Sequence, residues 1–234
     1  MSERVLRISS VRTATPSSRI VRLDLGGALF PFRPGQSVTL GPRESSRRVP
    51  YSIASSPEEV SRDAELEFLI KTDAGGRWGE DFEPLRRGAW LGVRAPSGKF
   101  VFPESPPERC FLFIAGGTGI APVRSMIRHA IAARVPGRIR LLYSARSPDD
   151  FAYLPELRAM ARHGVLELSL TATRSMTPRW RGSKGRIVPP QLALLVDDPA
   201  TLCFVCGPAS MVDDVPPMLS KLGVEKSRIL LEDW

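Results

Sequence analysis

The sequence predicts two domains in series, the first built of β-strands and the second of strands alternating with helices around a parallel sheet. Three observations carry this. The 234 residues suit two domains of roughly 100 to 150 residues each. Up to about residue 103, short β-branched or alternating stretches recur between Gly, Pro and Ser punctuation, whereas beyond it each apolar run is followed by a helix-like one. Between the halves, FPESPPER (102–109) holds three prolines in eight residues, which resists both helix and central strand. The boundary is therefore placed between 1–104 and 105–234.

In the first half the expected strands are Val5–Val11, Arg19–Leu25, Ser37–Leu40, Tyr51–Ala54, Glu65–Lys71 and Leu91–Arg94. The turns between them (Gly26-Gly27, Pro34-Gly35, Ser55-Ser56-Pro57, Gly75-Gly76) have the spacing of an antiparallel barrel or sandwich. One short helix is expected over Glu80–Arg87, stopped by Gly88. In the second half, strand Cys110–Ala115 leads to helix Ala121–Arg134, Ile139–Ser144 to Asp149–Arg162, then come Leu166–Thr173, Thr201–Cys206 with helix Ala209–Leu222, and a last strand Arg228–Glu232. Pro216-Pro217 argue for a kink or a late start in the last helix. Such alternation implies a sheet covered on both faces.

Composition excludes several classes. With 42% hydrophobic and 25% charged residues, the chain can bury a core and is no disordered tail. Its longest nearly apolar run, Phe111 to Val123, has 13 residues, short of the roughly 20 a membrane helix needs, so no bilayer span is expected. The N-terminus lacks the apolar core of a secretory signal, and a cytoplasmic location is expected. Three cysteines are too few for a disulfide framework or for the four thiolates an iron-sulfur cluster usually takes. Net charge is +8, and 28 of the 33 basic residues are arginine, which favours anionic partners. The excess is spread over both halves. Aromatic content of 7%, with no face of interleaved basic residues, speaks against nucleic-acid binding.

The run FLFIAGGTGIAPVRSMIRHA (111–130) is an apolar strand, a Gly-rich turn and an amphipathic helix. Its glycines permit a tight turn and close ligand approach, and the helix N-terminus offers N–H groups to a phosphate. Gly117, Thr118, Gly119, Ile120 and Pro122 thus form a candidate dinucleotide pyrophosphate site, although Pro122 stands where the Rossmann pattern has its third glycine. In that logic the end of the next strand reads the ribose. Here it runs Tyr143-Ser144-Ala145-Arg146, with no carboxylate before Asp149. With Arg174 and Arg186, in a stretch free of acidic residues from 174 to 186, Ser144 and Arg146 tilt the reading toward the 2′-phosphate of NADP, with NAD as the alternative. The same stretch also reads as a solvated basic loop. Cys203 and Cys206 have C-x-x-C spacing, but on a strand residues three apart face opposite ways, so no joint site is expected. Cys206, at the end of a parallel strand, reads either as a ligand-side residue or as a buried structural thiol. Taken by itself, Tyr51 reads as a core aromatic.

Three motifs in order change the weight of these readings: Arg48…Tyr51-Ser52, Gly116 to Pro122, and Cys206-Gly207-Pro208. Together they resemble the ferredoxin-NADP reductase family over nearly the whole chain, with APSGKF (95–100) similar to the turn that closes that family's barrel. The resemblance implies an N-terminal antiparallel β-barrel that binds FAD, followed by a C-terminal α/β parallel-sheet domain that binds NAD(P). It implies that Tyr51 stacks on the flavin, that Ser52, next to Ile53, hydrogen-bonds near flavin N5, and that Arg48 pairs with the FAD pyrophosphate. Val49 and Pro50 separate Arg48 from Tyr51 where the family usually has one residue, so either Arg48 reaches from a displaced backbone or Arg47 contributes. Leu69-Ile70-Lys71 and Gly76-Arg77-Trp78-Gly79 match the second flavin stretch, with Gly79 in place of the usual Ser or Thr. Cys206 is implied beside the nicotinamide, Trp234 as a lid on the flavin or a cap, and Glu232 as an aid to proton or hydride traffic. His129 and His163 are expected on the surface.

The implied activity is hydride transfer between NAD(P)H and FAD, with electrons passed singly to or from a separate carrier. A positive chain suits an acidic ferredoxin or flavodoxin. An NADH-dependent reductase component of a multicomponent oxygenase is the alternative, and a non-catalytic nucleic-acid-binding module is the remote one.

Overall fold

The computed structural model describes residues 3–73, 78, 84–174 and 180–233. Two compact units emerge, Met1–Phe102 with Arg124–Ala133, and Pro103–Val123 with Arg134–Trp234. The first is built on β1 (Arg4–Thr15), β2 (Ser18–Asp24), β3 (Ser37–Pro42), β4 (Val49–Ser52), α1 (Pro57–Asp63), β5 (Glu65–Lys71) and β6 (Trp90–Val93). The strands are hydrogen-bonded in the order β4-β3-β6-β1-β2-β5, all antiparallel. The two edges then meet. Ile53, just past β4, bridges to Phe68 of β5, and Ala54 N–H donates to the Glu67 carbonyl at 2.8 Å. This contact closes the sheet into a barrel and leaves little open edge. Alternate residues (Val38, Leu40, Val49, Tyr51, Leu66, Phe68, Ile70) point inward to one core, as a period of two demands.

Helix α1 was not among the expected elements, although its signal is in the sequence. In Ser56-Pro57-Glu58-Glu59, the Ser56 hydroxyl accepts from Glu59 N–H at 3.2 Å and the Glu59 carboxylate accepts from Ser56 N–H at 2.9 Å. That is a capping box with proline in the first turn. The helix expected over Glu80–Arg87 is not found where it can be checked. Residues 80–83 lie outside the described residues, and 84–87 are irregular, ending in a turn in which Ala89 N–H reaches the Arg86 carbonyl at 3.2 Å. Pro84 can open a helix but cannot continue one.

The second unit holds β7 (Cys110–Gly116), the start of α2 (Ile120–Ala132), β8 (Arg138–Ala145), α3 (Leu154–Arg162), β9 (Glu167–Ala172), β10 (Ser183–Lys184), α4 (Pro189–Ala193), β11 (Leu202–Gly207), α5 (Ala209–Lys221) and β12 (Ile229–Asp233). Its parallel sheet has the order β10-β9-β8-β7-β11-β12. Every residue of β7 and β11 is buried, so the sheet is covered on both faces. On one face Leu112, Ile114, Cys203 and Val205 pack with Val215 and Leu219 of α5. On the other, Phe113 stacks on Phe204 at 4.9 Å and 11°. Helix α5 starts at Ala209 in spite of Pro216 and Pro217. The carbonyls these prolines cannot satisfy belong to Val212 and Asp213, neither of which is buried, so water can serve them. Among the described residues no helix is long and apolar enough to cross a membrane.

Within the first unit, α1 is tied down by charge. Glu59 takes Arg124 (3.1 Å) and Arg128 (2.8 Å), and Glu58 takes His129 Nδ1 at 2.7 Å. His129 is thus half-buried and partnered rather than a plain surface residue. Burial acts to raise the Glu59 pKa, but Arg124, the Ser56 backbone and Arg128 outweigh it and hold the carboxyl below its ordinary 4.5. A lowered folded-state pKa stabilises above the unfolded pKa, and that contribution is lost as pH falls through the folded one. Glu59→Gln is therefore expected to be less stable than wild type near pH 7, with the gap narrowing below about pH 4. Urea midpoints from pH 3 to 7 check this, and a gap independent of pH would count against the ion pairs.

Candidate functional site

The order of the parallel sheet makes β7 the point where the strand order reverses, with β8 on one side and β11 on the other. Ligands in open α/β sheets bind outside the carboxyl ends of such strands. Here those ends are Gly116 and Gly207, and the glycines of the turn do two different jobs. Gly117 has φ +55° with nothing within 4 Å of the place a Cβ would take, so it turns the chain and leaves open space. A Cβ on Gly119 would overlap the Cys206 carbonyl, and one on Gly116 would sit 2.8 Å from Met211 Cε and Pro208 Cδ. These two let the turn lie flat against the end of β11. One 3₁₀ turn, Gly117–Gly119, then feeds α2, and its N-cap Gly116 supplies no side-chain acceptor. The first N–H groups are thus available to an anion. Pro122 falls in the first turn, where a missing N–H costs nothing.

The turn is held from below by Tyr143 of β8, which the sequence reading passed over. Its hydroxyl donates to the Gly117 carbonyl at 3.0 Å and accepts from Ala152 N–H at 3.2 Å. Burial pushes the phenol above its ordinary value, so it stays a donor. Phe151 meets Tyr143 edge-on at 5.0 Å, and Trp180 stacks on Phe151 at 5.3 Å. Nothing in the strand RIRLLYSA, which also holds two arginines and a serine, singles this tyrosine out.

Beyond β8 and β9 the chain continues paired: Thr173 N–H donates to the Ala145 carbonyl and Arg174 N–H to the Arg146 carbonyl, both at 2.9 Å. This brings Arg146 and Arg174, both exposed, to neighbouring positions at the carboxyl edge. Ser144 is buried and level with Gly116 in register. Arg186 is not brought to this pair by any contact seen. It is exposed, 3.8 Å from Asp214 of α5. Asp150, the carboxylate that could compete for a ribose hydroxyl, is occupied by Ser147, accepting from its N–H at 3.1 Å and its hydroxyl at 2.8 Å.

Cys206 is fully buried near the end of β11, in register with Ala115 on one side and Glu232 on the other. Glu232 is half-buried. Gly207 packs on Gly116, and Pro208 caps α5. Cys203 faces the opposite side of the sheet, where burial pushes its thiol up to about 12.

In the barrel, Tyr51 is buried on the inward side of β4, its ring 6.3 Å from that of Trp78. Ser52 lies on the outward side, level with Ser37 of β3. Its hydroxyl is buried with no hydrogen-bond partner among the described residues. An unsatisfied buried hydroxyl costs about 1–3 kcal/mol and calls for a partner. Ile53 and Ile70 face the core, Leu69 is buried on the other side of β5, and Lys71 sits 3.3 Å from Asp73. Gly76, Arg77, Gly79 and Trp234 lie outside the described residues.

Arg48 is not on Tyr51's side. It precedes β4 by one residue and shares the outward parity of Pro50 and Ser52, while Val49 holds the inward place two residues before Tyr51. Its guanidinium donates to Glu3 (Nε to Oε2, 3.2 Å), to the carbonyls of Pro42 and Arg47 (3.2 and 3.0 Å), and to that of Ser45. Arg48's hydrogen bond is the leading cause that holds Glu3 below its ordinary pKa. The facing glycines Gly41 and Gly92 make room: a Cβ on Gly92 would overlap both Arg48 Nη2 and Glu3 Oε1.

A closed antiparallel barrel in one unit and a glycine-rich turn at the switch point of a parallel sheet in the other are what an oxidoreductase with separate FAD and NAD(P) domains requires. Residues 6–102 match the model of the oxidoreductase FAD-binding domain, and 113–216 that of the oxidoreductase NAD-binding domain. Ferredoxin–NADP reductase B of Sorangium cellulosum is 32% identical over 97% of this chain and 96% of its own length. The electron transfer component of xylene/toluene monooxygenase from Pseudomonas putida is 30% identical over 86% of this chain, but only 57% of its own length is covered. The structure of a ferredoxin NADP+ reductase from Neisseria gonorrhoeae with bound FAD and NADP superposes with a TM-score of 0.81 at 21% identity, covering 100% of this chain and 99% of that one. The chain belongs to the ferredoxin-NADP reductase family, and FAD and NAD(P) are its cofactors. The Ser52 hydroxyl and the uncapped turn at Gly117 are features that fit these two groups.

The geometry of Arg48 generates one expectation. Arg48→Ala should lower the urea midpoint while leaving the FAD affinity of the apoprotein within about twofold. Tenfold weaker FAD binding at an unchanged midpoint would instead make Arg48 a cofactor ligand.

Proposed function

We propose that the protein moves electrons between NADPH and a separate, acidic one-electron carrier of the ferredoxin or flavodoxin kind. FAD, when bound, supplies the conversion between a two-electron hydride and single electrons. The chain's own residues bind, orient and keep water out. In the proposed flavin domain (1–104), Tyr51 packs against the flavin ring and Ser52 Oγ hydrogen-bonds near N5, the role for which its unsatisfied state speaks. Lys71, Trp78 and the stretch around Gly76 and Gly79 complete that site. Because the Arg48 donors are turned to Glu3 and loop carbonyls, we assign the FAD pyrophosphate to the exposed Arg47 rather than to Arg48.

In the proposed nucleotide domain (105–234), the N–H groups of the Gly117–Gly119 turn take the NADP pyrophosphate, that of Ile120 being already bonded to the Gly117 carbonyl. Cys206, Gly207 and Pro208 line the nicotinamide end, and Glu232 assists proton traffic. The observation that carries the choice of NADPH is the pairing of Arg146 with Arg174 at the carboxyl edge, where Asp150 is already occupied by Ser147. Two guanidiniums suit a 2′-phosphate, and Arg186 is a more distant contributor.

The net charge of +8 favours an acidic carrier by raising the encounter rate in a salt-dependent way. The similarity to an oxygenase electron transfer component supports a second reading, a reductase serving an oxygenase with NADH. Buried cysteines that form no disulfide support a cytoplasmic location.

The visible spectrum of the purified protein, followed by anaerobic titration with NADPH and separately NADH, tests the reading. Yellow protein bleached faster by NADPH is expected. Faster bleaching by NADH favours the oxygenase reading, and protein that takes up no FAD removes both. Replacing Arg146 and Arg174 together by Ala is expected to raise the KM for NADPH about tenfold or more and to change that for NADH little. Equal effects on the two would remove the 2′-phosphate argument.

A further inference from the structure

Arg124 lies on α2 with its side chain only 7% exposed, and neither half of the proposed site uses it. Its Nη1 donates to the Ala54 carbonyl at 2.7 Å and to Glu59 Oε2 at 3.1 Å, while Nη2 donates to Glu59 Oε1 at 3.2 Å. Glu67 Oε1 lies 3.6 Å away. The next residue, Ser125, donates its hydroxyl to the Ser55 carbonyl at 2.7 Å. Ala54 and Ser55 follow Ser52 by two and three residues and are the stretch that closes the barrel. From the other side Ala54 N–H goes to the Glu67 carbonyl at 2.8 Å, and the Ser55 hydroxyl accepts from Glu67 N–H at 3.1 Å. The peptide after Ser52 is thus gripped between β5 and two consecutive side chains of α2.

An arginine suits this place for a chemical reason. Its planar fork serves both oxygens of one carboxylate and still has an N–H to aim at a carbonyl, whereas a lysine ammonium is a point charge that cannot meet both in fixed directions.

We infer that Arg124 is a positioning residue for the flavin-contacting end of β4: by fixing the Ala54 carbonyl it fixes the direction in which the Ser52 hydroxyl is presented. The inference deepens the proposed function and rests on the reading that Ser52 meets the flavin. A structural ion pair alone would predict loss of stability in proportion to the charge removed. A positioning role predicts loss of cofactor geometry beyond it.

The experiment uses the full chain. Arg124→Lys keeps the charge and loses the fork. Arg124→Met with Glu59→Gln removes both members of the buried pair, Glu67 keeps Arg22 at 2.7 Å, and glutamine retains the capping box. Arg128→Gln, which loses a bond to the same carboxylate, Glu59, is the control. Three quantities are compared: Tm, the Kd of apoprotein for FAD from quenching of flavin fluorescence, and the single-turnover rate of flavin reduction at saturating NADPH.

Both Arg124 variants are expected to weaken FAD binding about tenfold and to slow reduction about 10- to 100-fold. Arg128→Gln should lower Tm with FAD affinity within about twofold of wild type. Folded Arg124 variants with wild-type Kd and reduction rate would overturn the inference, as would an Arg128→Gln variant that loses FAD to the same extent. Ser52→Ala separates the two levels. If it slows reduction while the Arg124 variants do not, only the positioning role falls. If it changes neither Kd nor rate, the flavin-site reading itself falls and takes the inference with it.

Discussion

The structure of the first unit depends on one closure, the meeting of Ile53 and Ala54 with Phe68 and Glu67. Without it β4 and β5 are the two bare edges of a six-stranded sheet, and bare edges bind whatever strand they meet. Closing there also decides where function can be placed. The residue before the bridge is Ser52, and a hydroxyl held at the end of a closed barrel is fixed in direction as one on a fraying strand end is not. The cost of such a junction is a concentration of buried polar groups. Glu67 is 4% exposed, with Arg22 at 2.7 Å and Arg124 at 3.6 Å. Buried charge persists only with partners on all sides, and the arginine-carboxylate cluster is what permits a charged seam in the middle of a packed wall.

The second unit solves a related problem by removing side chains instead of pairing them. Strand ends at a switch point must come close enough to form one floor for a ligand, and any Cβ keeps them apart. Gly116, Gly119 and Gly207 press against Met211, Pro208 and the Cys206 carbonyl. Only Gly117 spends its freedom on backbone conformation. A glycine-rich signature therefore mixes two demands, close packing and a left-handed φ, and the sequence pattern does not say which glycine meets which.

Strand identities and order of units were legible in the sequence because period-two burial and strand-helix alternation are local signals. The strand, glycine turn and helix over 111–130 were legible for the same reason. What escaped depended on contacts distant in sequence or on parity. Helix α1 was missed because it is short and its first turn reads as Ser-Pro punctuation, although the capping box Ser56/Glu59 was present. The irregular stretch at 84–87 was mistaken for helix because a glycine such as Gly88 reads as a helix stop even where it ends an ordinary turn. Tyr143 looked like one more apolar strand residue, since its partner Gly117 is 26 positions away. For Arg48, the sequence showed one extra residue before Tyr51 but not its consequence: on a strand a shift of one exchanges faces, so the side chain turns to Glu3.

The arginine-rich composition acquires a second meaning from these contacts. Glu59 is shared by Arg124 and Arg128, Asp197 by Arg138 and Arg140, and Glu67 by Arg22 and Arg124. The sharing runs both ways, since Arg22 also meets Glu65, Arg124 meets both Glu59 and Glu67, and Arg140 also meets Glu167, so these clusters close their charge internally and, at Arg124 and Arg140, do so while buried. Such arginines therefore support the fold, and the charge that reaches a partner is carried elsewhere. Only exposed arginines such as Arg146 and Arg174 act on what arrives from solution, and those two sit beside the nucleotide turn. Lysine could carry the same charge, but not in a shared, forked, partly desolvated geometry. The bias toward arginine thus follows from asking the same kind of side chain both to hold buried carboxylates and to meet anionic ligands.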